Sequence, residues 1–110
     1  MTKTISSPVE RWPGEVVLHD PLNLSQEAAW EEAVAASQMK RSLSGMHAEL
    51  VPGILRCVKE WHLGGDFPAR PTLANWPTKP RDARAQLLKW LVDEISAVYA
   101  GDEDETTPNG

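Results

Sequence analysis

The sequence predicts a mostly helical α+β domain. It has three to four helices, a short N-terminal β strand or hairpin, and a disordered acidic C-terminal tail. Three observations predict this class. Leu87, Leu88, Leu91, Ile95 and Val98 recur at helical spacing and make one apolar stripe. Residues 26–37 are alanine-rich, and 46–63 again carry apolar residues at helical spacing. Glu15-Val16-Val17-Leu18 is a β-branched run bounded by turn formers. The organisation read from these signals is a disordered stretch at 1–8, a single helical domain with an N-terminal β segment at 9–101, and a tail at 102–110.

Residues 1–8 are polar and expected to fray. Pro13-Gly14 is a turn signal between Val9–Trp12, read as extended, and the strand Glu15–Leu18. Such a pair of strands is marginal alone and must pack on helices or on another chain's edge. Asp20-Pro21 breaks the strand, and Ser25 is the expected cap of the next helix. In that helix Ala29, Ala33 and Ala36 keep one side small enough for a close neighbour, while Glu27, Glu31 and Glu32 make another face acidic.

Ser37–Gly45 reads as a solvated connection carrying Lys40 and Arg41. Met46–Leu63 reads as helix, with a kink or a junction of two helices at Pro52-Gly53 and a stop at Gly64-Gly65. The loop from Asp66 to Pro80 holds Phe67, Leu73 and Trp76, so it is expected to pack over the core. A proline-rich peptide ligand is the sharper reading of Phe67-Pro68-Ala69-Arg70-Pro71. Thr78 is the expected cap of the last helix, Pro80 fits its first turn, Asp82 favours its positive end, and Gly101 suits a left-handed stop. Asp102-Glu103-Asp104-Glu105 and the residues after it have no hydrophobic side chains to order them.

Composition narrows the function. The formal net charge is -5, which argues against nucleic acid as the main partner, because counterion release from a phosphate backbone needs a basic surface. Cys57 is the single cysteine, so no internal disulfide forms. It reads as a small buried hydrophobe in preference to a thiolate helped by Arg56 or Lys59. No apolar run is long enough to span a bilayer, and the N-terminus lacks the apolar core of a signal peptide, so a soluble intracellular protein is expected.

Catalytic and metal-binding signatures are missing. His19, His47 and His62 form no ligand pair at helical spacing, and Cys57 and His62 fall on different helix faces. No glycine-rich phosphate loop or Gly-x-Ser-x-Gly elbow is present. Adjacent carboxylates such as Glu31-Glu32 diverge on a helix and cannot flank one bond. The expectation is a non-enzyme with no catalytic residue, cofactor or metal.

The unusual feature is five tryptophans: Trp12, Trp30, Trp61, Trp76 and Trp90. Each has a large apolar body with one donor, and tryptophan is enriched where proteins meet. Trp90 lies off the Leu87/Leu91/Ile95 stripe and widens the apolar surface of the last helix.

Three stretches then carry a resemblance. They are Arg11-Trp12-Pro13-Gly14-Glu15-Val16-Val17-Leu18 with Asp20-Pro21-Leu22; Ile54-Leu55-Arg56-Cys57-Val58-Lys59-Glu60-Trp61; and Trp76-Pro77-Thr78-Lys79-Pro80-Arg81 leading into Leu88-Lys89-Trp90-Leu91-Val92-Asp93-Glu94-Ile95. Their order and spacing resemble small tail assembly chaperones of long-tailed bacteriophages and prophages. The resemblance implies a protein of the bacterial host cytoplasm that coats the long, hydrophobic, helical tape-measure protein until tail-tube subunits polymerise around it. It also implies absence from the finished virion and a frameshifted longer form. Association with that form or a homo-oligomer is expected, and composition argues for no nucleic acid and no membrane as partners.

A chaperone of that kind needs an apolar groove or helix face with charge around it. Trp61, Trp76, Trp90, Leu91 and Ile95 are the expected protein-binding residues. The alternatives are a small structural virion protein of the tail or head-completion type, and a nucleic-acid-binding regulator using Lys40, Arg41, Arg81 and Arg84.

Overall fold

The structure is a computed structural model and describes residues 1–101. The expectation for the acidic tail falls outside the described residues. Three antiparallel strands and three helices follow one another as β1 (Thr2–Ser6), β2 (Gly14–His19), α1 (Leu24–Gln38), α2 (Leu43–Cys57), β3 (Val58–Leu63) and α3 (Arg81–Ala100). The sheet order is β1-β2-β3, so β2 is central. The expected α+β class, mostly helical with its first strands at the N-terminus, is therefore what the chain adopts.

The N-terminus corrects one expectation. Residues 1–8 are not wholly frayed, because Thr2–Ser6 pairs with β2 from Thr2 opposite His19 to Ser6 opposite Glu15. The polar composition hides one anchoring side chain, Ile5, which is buried in the core. Val9–Trp12 is likewise not extended. Ser7 N–H donates to the Gly14 carbonyl at 2.8 Å and Trp12 N–H to the Val9 carbonyl at 3.1 Å, which folds this stretch into the β1–β2 connection and buries Val9 and Trp12. Gly14, at φ 125°, closes that connection where a Cβ would collide with the His62 carbonyl oxygen.

A second correction falls at Val58. The helix predicted to run to Leu63 stops at Cys57, and Val58–Leu63 becomes edge strand β3, with Val16 opposite Trp61. The register slips between Val17–Glu60 and Leu18–Val58, leaving Lys59 as an extra residue. Val58, Trp61 and Leu63 fit either period over so short a run. Pairing with β2, which no local signal encodes, decides for the strand.

The helices begin on caps other than those expected. Asn23, not Ser25, caps α1 in a reciprocal box with Gln26, both hydrogen bonds being 2.8 Å. Ser42 caps α2 through Gly45 N–H at 2.9 Å, so that helix starts inside the predicted connection. It then runs unbroken through Pro52, with no second helix beginning there. Thr78 does not cap α3; Pro80 occupies the N-cap position without a side-chain hydrogen bond.

Packing follows the predicted stripes. Leu87, Leu88, Leu91, Ile95 and Val98 are all buried, in one core with Ile5, Val16 and Leu18 of the sheet and Val51 and Ile54 of α2. The small face of α1 accepts α2 closely: a Cβ on Gly53 would lie 2.5 Å from the Ala33 Cβ. Among the described residues no helix is long and apolar enough to cross a membrane.

Candidate functional site

The expected binding residues do not share one surface. Leu91 and Ile95 have no solvent exposure and belong to the core, because α3 turns its whole aliphatic stripe inward. Neither side chain is open to a partner. Trp90 is half-buried on α3. Trp61 and Trp76 do come together, edge to face with centroids 5.6 Å apart. Phe67 joins them, stacking on Trp61 at 5.5 Å and meeting Trp76 at 5.4 Å and Trp12 at 5.9 Å. Three of the indoles thus pack around one phenylalanine inside the chain itself. Phe67 and Pro71 are buried, so the proline-rich stretch is an ordered cover over the sheet and does not stand out as a peptide ligand.

The remaining chemistry sorts quickly. Burial pushes the Cys57 thiol up to about 11, against the opposing charge of Arg56, which makes it a core side chain and a poor nucleophile. No cluster of metal-ligating side chains exists among the described residues. The basic quartet considered for nucleic acid is dispersed in its roles, since Arg84 is buried and Lys40 pairs with Glu49 at 3.3 Å.

One cavity gathers unusual polar groups. It measures about 310 Å³ and lies between the first turns of α2, the loop from Leu73 to Lys79, and the first turn of α3. Ser44, His47, Ala48 and Val51 reach it from α2 at helical spacing, and Arg81 and Arg84 from α3. Ala48, Val51, Leu73, Trp76 and Pro77 make its walls largely apolar. Leu73 is half exposed.

Arg84 is 6% exposed, Trp76 6% and His47 8%. Arg84 Nη2 donates to Ser44 Oγ at 3.2 Å, but its Nε has no partner, and neither have Trp76 Nε1 and His47 Nδ1. No carboxylate pairs with Arg84 among the described residues. Burial first, and then the Arg84 charge, hold the His47 imidazole below its ordinary value, which favours the neutral ring. Buried charges and donors are normally satisfied, so three orphans lining one cavity are a distinctive feature.

Reading residues singly missed this site. In the sequence His47 is one of three histidines without a ligand pair, Trp76 one of the expected protein-binding residues, and Arg84 one of the basic quartet. The legible signal was Arg84 itself, a cation three and four residues before Leu87 and Leu88 on the buried stripe. Comparison of the chain with protein-family models, curated proteins and solved structures gives no match.

Proposed function

We propose that this protein is a tail assembly chaperone of a long-tailed bacteriophage or prophage, holding apolar helical segments of the tape-measure protein in the host cytoplasm. The observation that carries the reading is the apolar cavity between α2, the Leu73–Lys79 loop and α3, with the half-exposed Leu73 among its lining residues on an acidic chain. A groove of this kind suits apolar side chains presented at helical spacing by a visiting helix. The net negative charge of the whole chain keeps a loaded complex in solution. The stretches that carry the family resemblance support the same reading, since Trp12, Trp61 and Trp76 from all three converge on Phe67 beside the cavity. The contacts accordingly move from Leu91 and Ile95 to the lining residues that reach the surface, Leu73, Ala48 and the half-buried Pro77.

Co-expression tests it. A tape-measure protein of a long-tailed phage is expressed with and without the chain, and its soluble fraction is measured. A several-fold rise with the wild-type chain, reduced by Leu73→Asp, is expected. No change in solubility removes the proposal.

A further inference from the structure

We infer that the α2–α3 cavity is a carboxylate site, binding a singly charged carboxylate carried on a short apolar body. The inference stands on the unpartnered donors and does not depend on the tail-assembly reading.

The buried set is Arg84 Nε, Trp76 Nε1 and His47 Nδ1, on side chains at least nine-tenths buried that all line the same cavity. Guanidinium and indole nitrogens only donate, and the neutral imidazole donates in its Nδ1–H tautomer. What they lack is therefore an acceptor. A carboxylate offers two oxygens with about four lone-pair sites and is acceptor-only when ionised, which matches a lining whose unpartnered groups donate. It also supplies the counter-charge that a buried guanidinium needs.

Charge selects a monoanion. Arg84 carries the one permanent charge among the buried lining residues. Lys79 and Arg81 are exposed among the lining residues, and the N-terminus of α3 adds its partial positive charge there, which favours approach of an anion. The walls of Val51, Leu73 and Pro77 suit methylenes behind the carboxylate. A volume of about 310 Å³ is at the small end for a ligand pocket, which fits a short-chain acid or one acidic side chain.

The test uses the whole chain labelled with nitrogen-15, following the Trp76 Nε1–H and Arg84 Nε–H resonances. Sodium hexanoate is titrated beside 1-hexanol and hexylammonium chloride. Hexanoate is expected to shift both resonances saturably and to bind about tenfold or more tightly than either analogue, as a charge-assisted contact requires. Arg84→Met is expected to abolish that preference, and Lys89→Met, at an exposed residue paired with Asp93, to retain it. Binding of hexanoate no tighter than hexanol, non-saturating shifts, or a preference that survives Arg84→Met overturns the inference. If Arg84→Met does not fold, the wild-type comparison decides by itself.

A second arm identifies the source. The capped tripeptide acetyl-Leu-Glu-Leu-amide is compared with its Gln counterpart. A Glu peptide tighter than hexanoate and than the Gln peptide supports a protein side chain as the carboxylate donor. A Glu peptide weaker than hexanoate supports a free acid. None of these readouts involves tape-measure solubility, so the two proposals fail separately.

Discussion

Trp12, fully enclosed, donates its indole N–H to Asp66 Oδ1 at 2.7 Å, joining residues 54 positions apart in sequence. Arg11 Nη2 donates to the other oxygen of the same carboxylate at 3.0 Å. The β1–β2 connection is thereby fastened to the loop that follows β3, just where Phe67 enters the aromatic cluster. Gly65, at φ 65°, lets that loop pass close to the Arg11 carbonyl, where a Cβ would collide. The hydrogen bond from Trp12, then the Arg11 charge, hold the Asp66 carboxyl below its ordinary 3.8. A depressed carboxyl contributes stability that is present above its unfolded value and lost as pH falls through the folded one. Urea midpoints are therefore expected to fall for the wild type as pH drops below about 4, and to fall less for Asp66→Asn. Asp66→Ala, which leaves the Trp12 N–H without an acceptor, is expected to lower the midpoint at pH 7 as well.

Gly53 sets how closely α1 and α2 approach. The Cβ of Gly53→Ala would meet the Ala33 Cβ at 2.5 Å and the Ala29 carbonyl oxygen at 3.2 Å, neither of which can swing away. Overpacking costs about 1–3 kcal/mol, and the gain in helix propensity returns about 1 kcal/mol at most. Denaturant unfolding of Gly53→Ala is expected to show a net loss of about 1–2 kcal/mol. Ala33→Gly in the same chain is expected to recover part of it, as coupling between touching sites requires.

Core and cavity residues separate in a stability-against-binding comparison. Leu91→Ala removes a fully enclosed side chain and is expected to cost about 3 kcal/mol, within the range for large-to-small core changes. Leu73→Asp, at a position 50% exposed, is expected to change stability by about 0.5 kcal/mol or less. It is nonetheless expected to reduce the solubilisation of tape-measure protein. Equal losses of stability in the two variants would place Leu73 in the core.

Arg84 and His47 report on each other. Arg84→Met removes the second cause of the lowered His47 value and leaves burial, the larger one. The His47 ring protons are expected to titrate at higher pH in the variant, still below 6.5. Because the folded value is depressed, wild-type stability is expected to fall as pH drops from 6.5 through that value, and less steeply in the variant. Replacing a buried unpaired cation by a side chain of similar length is expected to leave the ligand-free protein as stable or more so.

How much was legible varies by residue. Leu87, Leu88, Leu91, Ile95 and Val98 announced α3 and its apolar face, because a stripe at helical spacing falls on one side of a helix. Gly101 announced its end, and Ala29 and Ala33 the close neighbour later found in Gly53. Val58–Leu63 did not announce itself, since its pattern serves a helix or a strand and only β2 could choose. The partition of the tryptophans was equally hidden. An indole's spacing along the chain does not say whether Phe67, distant from Trp12 in sequence, will cover it.

By itself the sequence determined the periodic apolar faces, the turn positions, the lone cysteine and the acidic balance, because these depend on neighbours a few residues apart. Tertiary structure decided that β3 is a strand, that Leu91 and Ile95 face inward while Leu73 faces out, and that His47, Trp76 and Arg84 line one cavity with an unpartnered nitrogen on each. Those outcomes rest on contacts between distant segments, whose free energy exists only once the chain has closed on itself.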